Sequence, residues 1–346
     1  MSSLSRSEQF RNLFPDQPAY RLRQMEEALF NDRWSSWTEA TSLPAPARAQ
    51  LAAAVPWVSY ADTDVHAAKS GDAFKAILAL ADGSRIETVL MKNRRGQWTI
   101  CVSSQVGCAM KCAFCATGKM GLKRDLTDDE IVDQYRFWRS YVRGKKNDAR
   151  ISNVVFMGMG EPLANYENVK DAVRTLLKHT DVGPTRITVS TAGLIPQLES
   201  LLEDKDWPDV RLAISLHSAD AKTRRTIMPS SYDDFLDRLQ NWALRYLDKF
   251  GDRRHHLTFE YVMLSGVNDT PEHAAKLARF AQSLVRVKIN LIPFNWTDTG
   301  FQGTADADIN KFLDILEKAG VTATVRKSMG DDIAAACGQL VTKPGD

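Results

Sequence analysis

From Thr99 onward, short apolar runs suited to buried strands alternate with segments of helical periodicity. The seven strand-like runs are TICVS, NVVFM, RITVS, RLAISL, LTFEYVML, VKINLIPF and TATVR, and a helix-like segment follows each of the first six. Thr127 and Glu130 fit a capping box, which marks the start of the first of these helices. The alternation predicts an α/β fold with a parallel sheet, either an open doubly wound sheet or an incomplete (β/α) barrel. In both folds, functional groups gather at the carboxyl ends of the strands.

The part of the chain before Thr99 has a different pattern. Leu22, Met25 and Leu29 recur at helical spacing, and prolines break that pattern further on. Asp82 and Gly83 then lie between two strand-like runs, a combination that predicts a β-hairpin with a type I′ turn. We therefore divide the chain into a small N-terminal helical domain, a β-hairpin connection and a catalytic barrel, at residues 1–55, 56–98 and 99–346.

The composition excludes some classes of protein without naming a function. Hydrophobic residues make up 44% of the chain and charged residues 25%, which argues against a largely disordered protein. The formal net charge of +2 permits a nucleic-acid partner but does not predict one. The first residues lack the apolar core of a signal peptide, and no apolar run approaches the ~20 residues that span a bilayer. We therefore expect a cytoplasmic protein with no membrane contact.

Three of the five cysteines lie within eight residues, as Cys108, Cys112 and Cys115 in a C-x3-C-x2-C run. This is a poor layout for structural disulfides, but three thiolates of one loop can converge on a metal centre. A four-iron cluster with only three protein thiolates leaves one iron open to an external ligand. The spacing alone leaves two alternatives, which are zinc with a fourth ligand from elsewhere and buried thiols without a metal.

The cysteine loop resembles the signature of the radical S-adenosylmethionine (SAM) superfamily. That signature is C-x3-C-x-aromatic-C, and here Phe114 precedes the last cysteine. Members of the superfamily are built on partial (β/α)6 barrels. The resemblance therefore implies such a barrel, one [4Fe-4S] cluster held by Cys108, Cys112 and Cys115, and SAM as a cofactor.

Further segments carry a narrower resemblance across nearly the whole predicted barrel. They are CVSSQVGC, GMGEPL, VSTAG, AISLH, FEYVML, NLIPFN and GDDIAAACGQL. With the cysteine loop, they are similar to the dual-specificity 23S rRNA and tRNA adenine-C2 methyltransferases and to their C8-methylating antibiotic-resistance relatives. The resemblance implies methylation of adenine C2 in 23S rRNA, with tRNA as a second substrate. We also expect an external electron donor such as flavodoxin, and a monomeric enzyme.

The two cysteines outside the loop acquire roles from this resemblance. By itself, each of Cys101 and Cys337 is most simply a small buried apolar residue. The resemblance implies that one SAM methylates Cys337, and that a second SAM is cleaved at the cluster to a radical that takes a hydrogen from this methyl group. The methylene then joins protein to base, and Cys101 attacks the Cys337 sulfur to release the product. Glu87 corresponds to the family's general base, and a solvated strand glutamate is the alternative.

The resemblance also implies a SAM site at the predicted strand ends. A Gly-rich turn alone is weak evidence, but the Glu161 carboxylate would suit the SAM ammonium group. The implied contacts are Gly160, Glu161, Ser190, Ser215, Leu216, His217 and Asn295. Taken alone, His217 would be a structural histidine. Asn290 is a competing candidate, although its strand position favours a hydrogen bond in the core.

Several basic residues are candidate RNA phosphate contacts, and solvated surface is the alternative for each. They are Lys119, Lys123, Arg124, Arg143, Lys145, Lys146, Lys222, Arg224 and Arg225. Some of them lie on loops near the predicted site, where a flipped adenine would enter. Two other functions stay open: C8 methylation of the rRNA adenosine, which confers resistance to ribosome-targeting antibiotics, and a non-catalytic iron–sulfur protein that binds RNA.

Overall fold

The computed structural model of the protein describes residues 4–93, 95–145, 150–251, 257–284, 286–326 and 329–341. The strands are β1 (Tyr60–Ala67), β2 (Ala73–Leu80), β3 (Arg85–Lys92), β4 (Trp98–Cys101), β5 (Gln105–Gly107), β6 (Leu122–Asp125), β7 (Ile151–Phe156), β8 (Ile187–Thr191), β9 (Arg211–Ser215), β10 (Leu257–Met263), β11 (Val287–Pro293) and β12 (Ala323–Val325). The helices are α1 (Arg6–Leu13), α2 (Ala19–Leu29), α3 (Ala45–Ala54), α4 (Ala116–Met120), α5 (Asp128–Lys145), α6 (Tyr166–His179), α7 (Ile195–Glu203), α8 (Ala221–Ile227), α9 (Phe235–Phe250), α10 (Pro271–Gln282) and α11 (Asp306–Lys318).

Ten of these strands form one sheet whose order follows the chain, β1-β2-β3-β4-β7-β8-β9-β10-β11-β12, while β5 and β6 form a separate antiparallel pair. From β4 to β12, neighbouring strands are parallel. A doubly wound sheet would reverse its strand order at a switch point. The sequential order therefore confirms the incomplete barrel, and no strand pairing among the described residues closes it.

The helix that follows the first parallel strand begins as the sequence predicts. The Thr127 hydroxyl accepts from the Glu130 backbone N–H at 3.2 Å, and the Glu130 carboxylate accepts from the Thr127 N–H at 2.9 Å. This capping box satisfies backbone donors that the first turn of α5 would otherwise leave unpaired. The helices α5, α6, α7, α9, α10 and α11 bury apolar residues against the parallel strands.

The turn between β2 and β3 differs from the predicted type I′ turn. The Leu80 N–H donates to Ser84 O at 2.7 Å and the Gly83 N–H donates to Leu80 O at 2.9 Å, so the loop has three residues. Gly83 has a φ of 78°, whereas Asp82 is not among the residues with positive φ. A type I turn followed by a left-handed glycine gives this geometry. The type I′ prediction was wrong because the Asp82 carboxylate accepts from Ser84 N–H and stabilises the longer loop.

Helices α1, α2 and α3 bury an apolar cluster of their own. Met25 is fully buried in it, and Leu22 and Leu29 pack against it. The Trp37 indole N–H donates to Val55 O at 2.7 Å, which ties the first part of the cluster to the end of the helical region. No helix in the described part of the chain combines the length and the apolar surface needed to cross a bilayer.

A buried network of charges joins this helical region to α5, and we call it the N-terminal interface. Arg6 donates to Asp129 and Asp133, and Arg136 donates to the second oxygen of Asp133. The Ser59 N–H also donates to Asp133 at 2.6 Å. Burial alone would raise the pKa of Asp133, but Arg6 and Arg136 outweigh burial and lower it to about 2. The carboxylate of Asp133 is therefore ionised and fully paired although it is buried.

Candidate active site at the carboxyl ends of the strands

A cleft with about 1030 Å³ of empty space, part of it open to solvent, lies where the parallel strands end. The predicted site residues that line it are Cys108, Cys112, Cys115, Gly160, Glu161, Ser190, Ser215, His217, Asn295 and Cys337. Leu216, Cys101 and Glu87 are not among its lining residues. The fold thus brings together residues that are far apart in the chain, as expected for the carboxyl edge of a parallel sheet.

The cysteine loop is held in place by close backbone contacts. The Cys108 N–H donates to Gly121 O at 3.0 Å, and the Cys115 N–H donates to Cys112 O at 3.1 Å. Gly107 has a φ of 79°, and a Cβ there would lie 1.8 Å from Gly121 O, so only glycine fits this position. The loop therefore presents its three thiols from a fixed backbone.

Burial disfavours the charged form of all three loop thiols. It raises the pKa of Cys108 to about 12, and it also raises those of Cys112 and Cys115. Within the described residues, no three Cys, His, Asp or Glu side chains are close enough to hold a single metal ion. A four-iron cluster spreads its thiolates over several iron atoms, and its positive irons offset the cost of forming thiolates in a buried site. The donors of this loop fit such a cluster.

Glu161 places a buried carboxylate in the cleft. Its two oxygens accept from the backbone N–H groups of Leu163 at 2.9 Å and Ala192 at 2.6 Å. Burial nevertheless raises the pKa of Glu161 above its ordinary value. Gly160 beside it has a φ of 104°, and a Cβ there would lie 2.7 Å from Gln105 N. This turn needs glycine, and the carboxylate next to it is suited to a cationic ligand group.

His217 lines the cleft in an uncommon backbone conformation, with a φ of 55°. Its Nδ1 accepts from the Val262 N–H at 3.0 Å, so the neutral ring carries its proton on Nε2. Burial lowers the pKa of His217 to about 3, so the ring is neutral near pH 7. Phe114 of the cysteine loop packs edge-on against it, with 4.9 Å between ring centroids. His217 is therefore a fixed neutral donor beside the loop.

Arg224 does not have the position predicted for an RNA contact. It is 1% exposed and donates to the backbone carbonyls of Ala192, Ser215 and Leu216. Its guanidinium also lies 3.6 Å from the centroid of the Phe235 ring. The prediction was wrong because these contacts use the side chain within the protein. Arg224 instead fixes the end of β9, which carries Ser215 and leads to His217.

The two remaining thiols, of which only Cys337 lines the cleft, lie in different environments. Cys337 is exposed, whereas Cys101 is buried at the end of β4. Burial raises the pKa of Cys101 to about 12, the charge of Cys337 contributes to that increase, and Arg326 opposes it. The two thiols are thus within electrostatic reach of each other.

Sequence reasoning missed an ion pair beside these thiols. The Arg326 guanidinium lies 3.4 Å from the Glu260 carboxylate, and both residues line the cleft. Asn290 donates to the other Glu260 oxygen at 3.0 Å, which is the core hydrogen bond favoured for it. Burial lowers the pKa of Arg326, but Glu260 and the two thiols outweigh burial and raise it. The sequence did contain a signal for this pair, because Glu260 and Arg326 are charged residues within the apolar strand-like runs LTFEYVML and TATVR.

Glu87 lies beneath residues 329–341, which we call the Cys337 segment. Its carboxylate pairs with Lys75 at 2.8 Å and accepts from the Val341 N–H at 2.9 Å. Lys75 also donates to Ala334 O at 3.4 Å. The ion pair therefore contacts the Cys337 segment on both sides of Cys337 in the chain. Leu216 is likewise outside the cleft, with its side chain in the core and its N–H donating to Glu260 O.

The other basic candidates for RNA contacts differ in their exposure and in whether they already pair with a group of the protein. Arg124 pairs with Glu130 and Asp82, and Lys123 donates to Ser84 at 2.7 Å. The exposed candidates are Lys119, Lys123, Arg143, Lys222 and Arg225. Among these, Arg143 pairs with Asp32, Arg225 pairs with Asp233, and Lys119 donates to Asp298 O. Lys146 and the side chain of Lys145 lie outside the described residues.

Comparisons with known proteins agree with this geometry. The model of the radical SAM superfamily matches residues 102–281. A protein of Chlorobium phaeovibrioides named probable dual-specificity RNA methyltransferase RlmN is 41% identical over 336 residues, which cover 94% of this chain and 88% of that protein. An Aquifex aeolicus protein of the same name is 42% identical over 277 residues, covering 79% and 77%. The solved structure of a radical SAM methyltransferase from Sphaerobacter thermophilus has a TM-score of 0.88 at 38% identity, covering 97% of both chains.

Proposed function

The chain belongs to the radical SAM family of dual-specificity RNA methyltransferases, and we propose that it forms 2-methyladenosine in 23S rRNA and in tRNA. One observation carries this proposal. The same cleft is lined by the three-cysteine loop and by Cys337, a thiol more than two hundred residues away in the chain. A cluster loop alone supports SAM cleavage, whereas a thiol on the same cleft supports transfer of a methyl group to the base.

The family implies a [4Fe-4S] cluster and SAM. We assign one cluster to Cys108, Cys112 and Cys115, and two SAM molecules to each turnover. When bound, such a cluster would supply the electron that cleaves SAM to a carbon radical. An external electron donor such as flavodoxin would provide that electron, and we expect a monomer that works in the cytoplasm.

We assign the SAM site to Glu161, Gly160, Ser190, Ser215, Leu216, His217 and Asn295, and the environments of Glu161 and His217 support this assignment. The Glu161 carboxylate would pair with the SAM ammonium group, and this pairing would offset the burial that raises its pKa. The neutral ring of His217 offers an Nε2–H donor, and Arg224 holds the strand end that leads to it. Leu216 can contribute only through its backbone, because its side chain is in the core.

Cys337 and Cys101 would carry out different covalent steps, in accordance with their different exposure. Adenine C2 is not nucleophilic, so it cannot take a methyl group from SAM by simple displacement. The exposed Cys337 thiolate can attack the SAM methyl carbon and then carry that carbon to the base. The buried Cys101 thiolate would attack the Cys337 sulfur last, which forms a disulfide and breaks the bond between sulfur and the transferred carbon. That carbon would leave with the bonding electron pair and take up a proton to become the methyl group.

Glu87 is our candidate for the base that removes the C2 proton. In this structure its carboxylate pairs with Lys75 and holds Val341 beneath the Cys337 segment. Its action on the substrate would therefore require the Cys337 segment to move. Because the segment carries the thiol that joins the RNA, formation of that bond offers a reason for such a movement.

We assign RNA binding outside the cleft to two surfaces. The first is the N-terminal helical domain at residues 1–55, which the N-terminal interface fixes to α5. The second is the exposed lysines beside the cleft, Lys119 and Lys222. Residues 56–98 connect this domain to the catalytic barrel at residues 99–346, and their strands also support the Cys337 segment.

Mass spectrometry of nuclease-digested RNA tests this function. Unmodified 23S rRNA and tRNA are treated with reconstituted enzyme, SAM and a reductant, and the digests are searched for 2-methyladenosine. A product consisting only of 8-methyladenosine would replace C2 with C8 methylation. Failure of the reduced, cluster-loaded protein to cleave SAM would favour a non-catalytic RNA-binding protein.

A further inference from the structure

Trp296 has the highest exposed fraction, 72%, among the large apolar side chains that are exposed in the described residues. It lies directly after Asn295, which lines the cleft at the end of β11. Trp296 itself is not among the lining residues, so its indole lies outside the space that would hold the target base. Single apolar residues on a surface are common and by themselves carry no function.

Two hydrogen bonds join Asn295 and Trp296 to the Cys337 segment. The Asn295 side chain donates to Cys337 O at 3.1 Å, and the Gln339 side chain donates to Trp296 O at 2.9 Å. Gln339 is itself held, because it accepts from the Ala336 N–H at 3.0 Å. The exposed indole therefore extends from a backbone that is hydrogen-bonded to the segment carrying the Cys337 thiol.

The two residues directly after Trp296 are also hydrogen-bonded, one to the cysteine loop and one to the helix that follows this loop. The Thr297 hydroxyl donates to Phe114 O at 3.2 Å, and Lys119 donates to Asp298 O. A side chain on a mobile loop would lose conformational entropy when it binds a partner, whereas one on a fixed backbone loses less. Trp296 thus combines a large planar surface, a fixed backbone and a place directly next to the cleft.

We propose that Trp296 is a stacking platform for an RNA base adjacent to the target adenine. This proposal rests on the proposed RNA methyltransferase function and adds a residue that selects and positions the substrate. Proteins that recognise single-stranded RNA stack unpaired bases on aromatic side chains. Extruding an adenine into the cleft unstacks its neighbours, and an aromatic ring outside the cleft would recover part of that lost stacking. The planar indole, rather than the apolar area alone, is the required feature.

Three variants test the proposal with unmodified 23S rRNA transcribed in vitro. Base stacking on an aromatic side chain is worth about 5- to 100-fold in affinity, so Trp296→Ala should weaken RNA binding by that factor. Trp296→Phe should keep most of the affinity, because it retains an aromatic face. Leu244→Ala is the matched control, since Leu244 is 41% exposed on α9 in the outer helix layer, and it should bind RNA as the wild type does.

Two readouts separate stacking from a structural role. Trp296→Ala should raise KM for RNA while kcat at saturating RNA stays close to that of the wild type. RNA should quench indole emission in the wild type more than in Trp296→Phe, and the difference reports the contact at Trp296. Equal RNA affinity of Trp296→Ala and wild type would overturn the proposal. So would a Trp296→Ala variant that binds flavodoxin more weakly than the wild type but binds RNA equally well. RNA binding is measured directly, so a wild type that binds RNA but makes no methyladenosine would contradict only the proposed function.

Discussion

The N-terminal interface and the cleft both bury ionisable side chains, but burial has opposite outcomes for Asp133 at the interface and for Glu161 and His217 in the cleft. At the interface, Asp133 is held ionised, and its pKa falls to about 2 because two arginines surround it. In the cleft, burial raises the pKa of Glu161 and lowers that of His217 to about 3, so both groups are driven toward neutrality. The interface is electrostatically complete within the protein. The cleft is suited to charged groups that a ligand would bring.

This difference predicts a separation of stability from activity. Removing one partner of a buried ion pair leaves the other charge buried without compensation, which is costly for folding. Removing a cleft group whose charged form burial disfavours should cost the fold less than removing Asp133, although it removes a contact that a ligand needs. Substitutions at the N-terminal interface should therefore mainly lower the free energy of unfolding, whereas substitutions in the cleft should mainly lower methylation or SAM affinity.

The largest expected effect is on methylation by the thiol variants. Cys337→Ala should abolish formation of methyladenosine, because no sulfur remains to carry the methyl group. Cys101→Ala should instead accumulate a covalent protein–RNA adduct, visible as a shifted band on a denaturing gel. Both variants should unfold at wild-type urea concentrations. Methylation by Cys337→Ala would defeat the covalent mechanism.

The next largest effect is on stability at the interface. Asp133→Asn should lower the free energy of unfolding by about 3–5 kcal/mol, because it leaves Arg6 and Arg136 buried with reduced compensation. Asp181→Asn is the control, since the Arg150–Asp181 pair is 63% and 60% exposed and such pairs are worth at most about 1 kcal/mol. Urea unfolding measures both. Equal effects of the two substitutions would remove the contrast drawn between the interface and an ordinary surface pair.

A smaller effect is expected on SAM affinity. Glu161→Gln should raise the SAM dissociation constant by about 10- to 100-fold, in line with the roughly 1.5–3 kcal/mol of a hydrogen bond to a charged group. Its free energy of unfolding should fall by about 1–3 kcal/mol, because the glutamine amide nitrogen would face one of the two backbone N–H groups from which Glu161 accepts. Glu167→Gln, on the exposed face of α6, is the control and should bind SAM normally. Titration calorimetry on cluster-loaded protein gives the constants, and unchanged SAM binding by Glu161→Gln would exclude the proposed ammonium contact.

The smallest effect is a pH dependence of the interface. The folded pKa of Asp133, about 2, lies below its ordinary value of 3.8. Such a carboxylate stabilises the fold fully above the unfolded pKa and loses that contribution as pH falls through the folded one. The stability difference between wild type and Asp133→Asn should thus be constant above pH of about 5 and shrink by roughly 2 kcal/mol as pH falls from 4 to 2. Urea unfolding at several pH values would reveal a constant difference if Asp133 were not held ionised.

Local patterns in the sequence predicted the barrel well. The helix-like segment predicted after the run VKINLIPF is α11 (Asp306–Lys318), and Thr127 and Glu130 form the predicted capping box. Both depend on residues a few positions apart, so the signal is contained in the local sequence. Strand β1 was missed because it lies at the sheet edge with most of its residues exposed or partly exposed, and it lacks the apolar pattern of a buried strand.

The failures share a physical cause, which is dependence on distant partners. The turn at Asp82 was assigned from a dipeptide, but hydrogen bonds to Ser84 decide its length. In the sequence, Arg224 resembles a surface cation, but in the structure its guanidinium donates to carbonyl groups at the ends of two strands. The pairing of Glu260 with Arg326 joins residues that are 66 positions apart. No short window contains such partners, although family resemblance located the cleft residues themselves.

The sequential strand order has a consequence for how the protein is made. Cys101 ends β4, the first strand of the parallel series, whereas Cys337 comes after β12, the last one. Domains can begin to fold from the N-terminus while synthesis continues. Cys101 can therefore take its buried place before Cys337 leaves the ribosome. The order of synthesis thus keeps apart, until the last strand has been made, the two thiols to which we assign the disulfide of the proposed reaction.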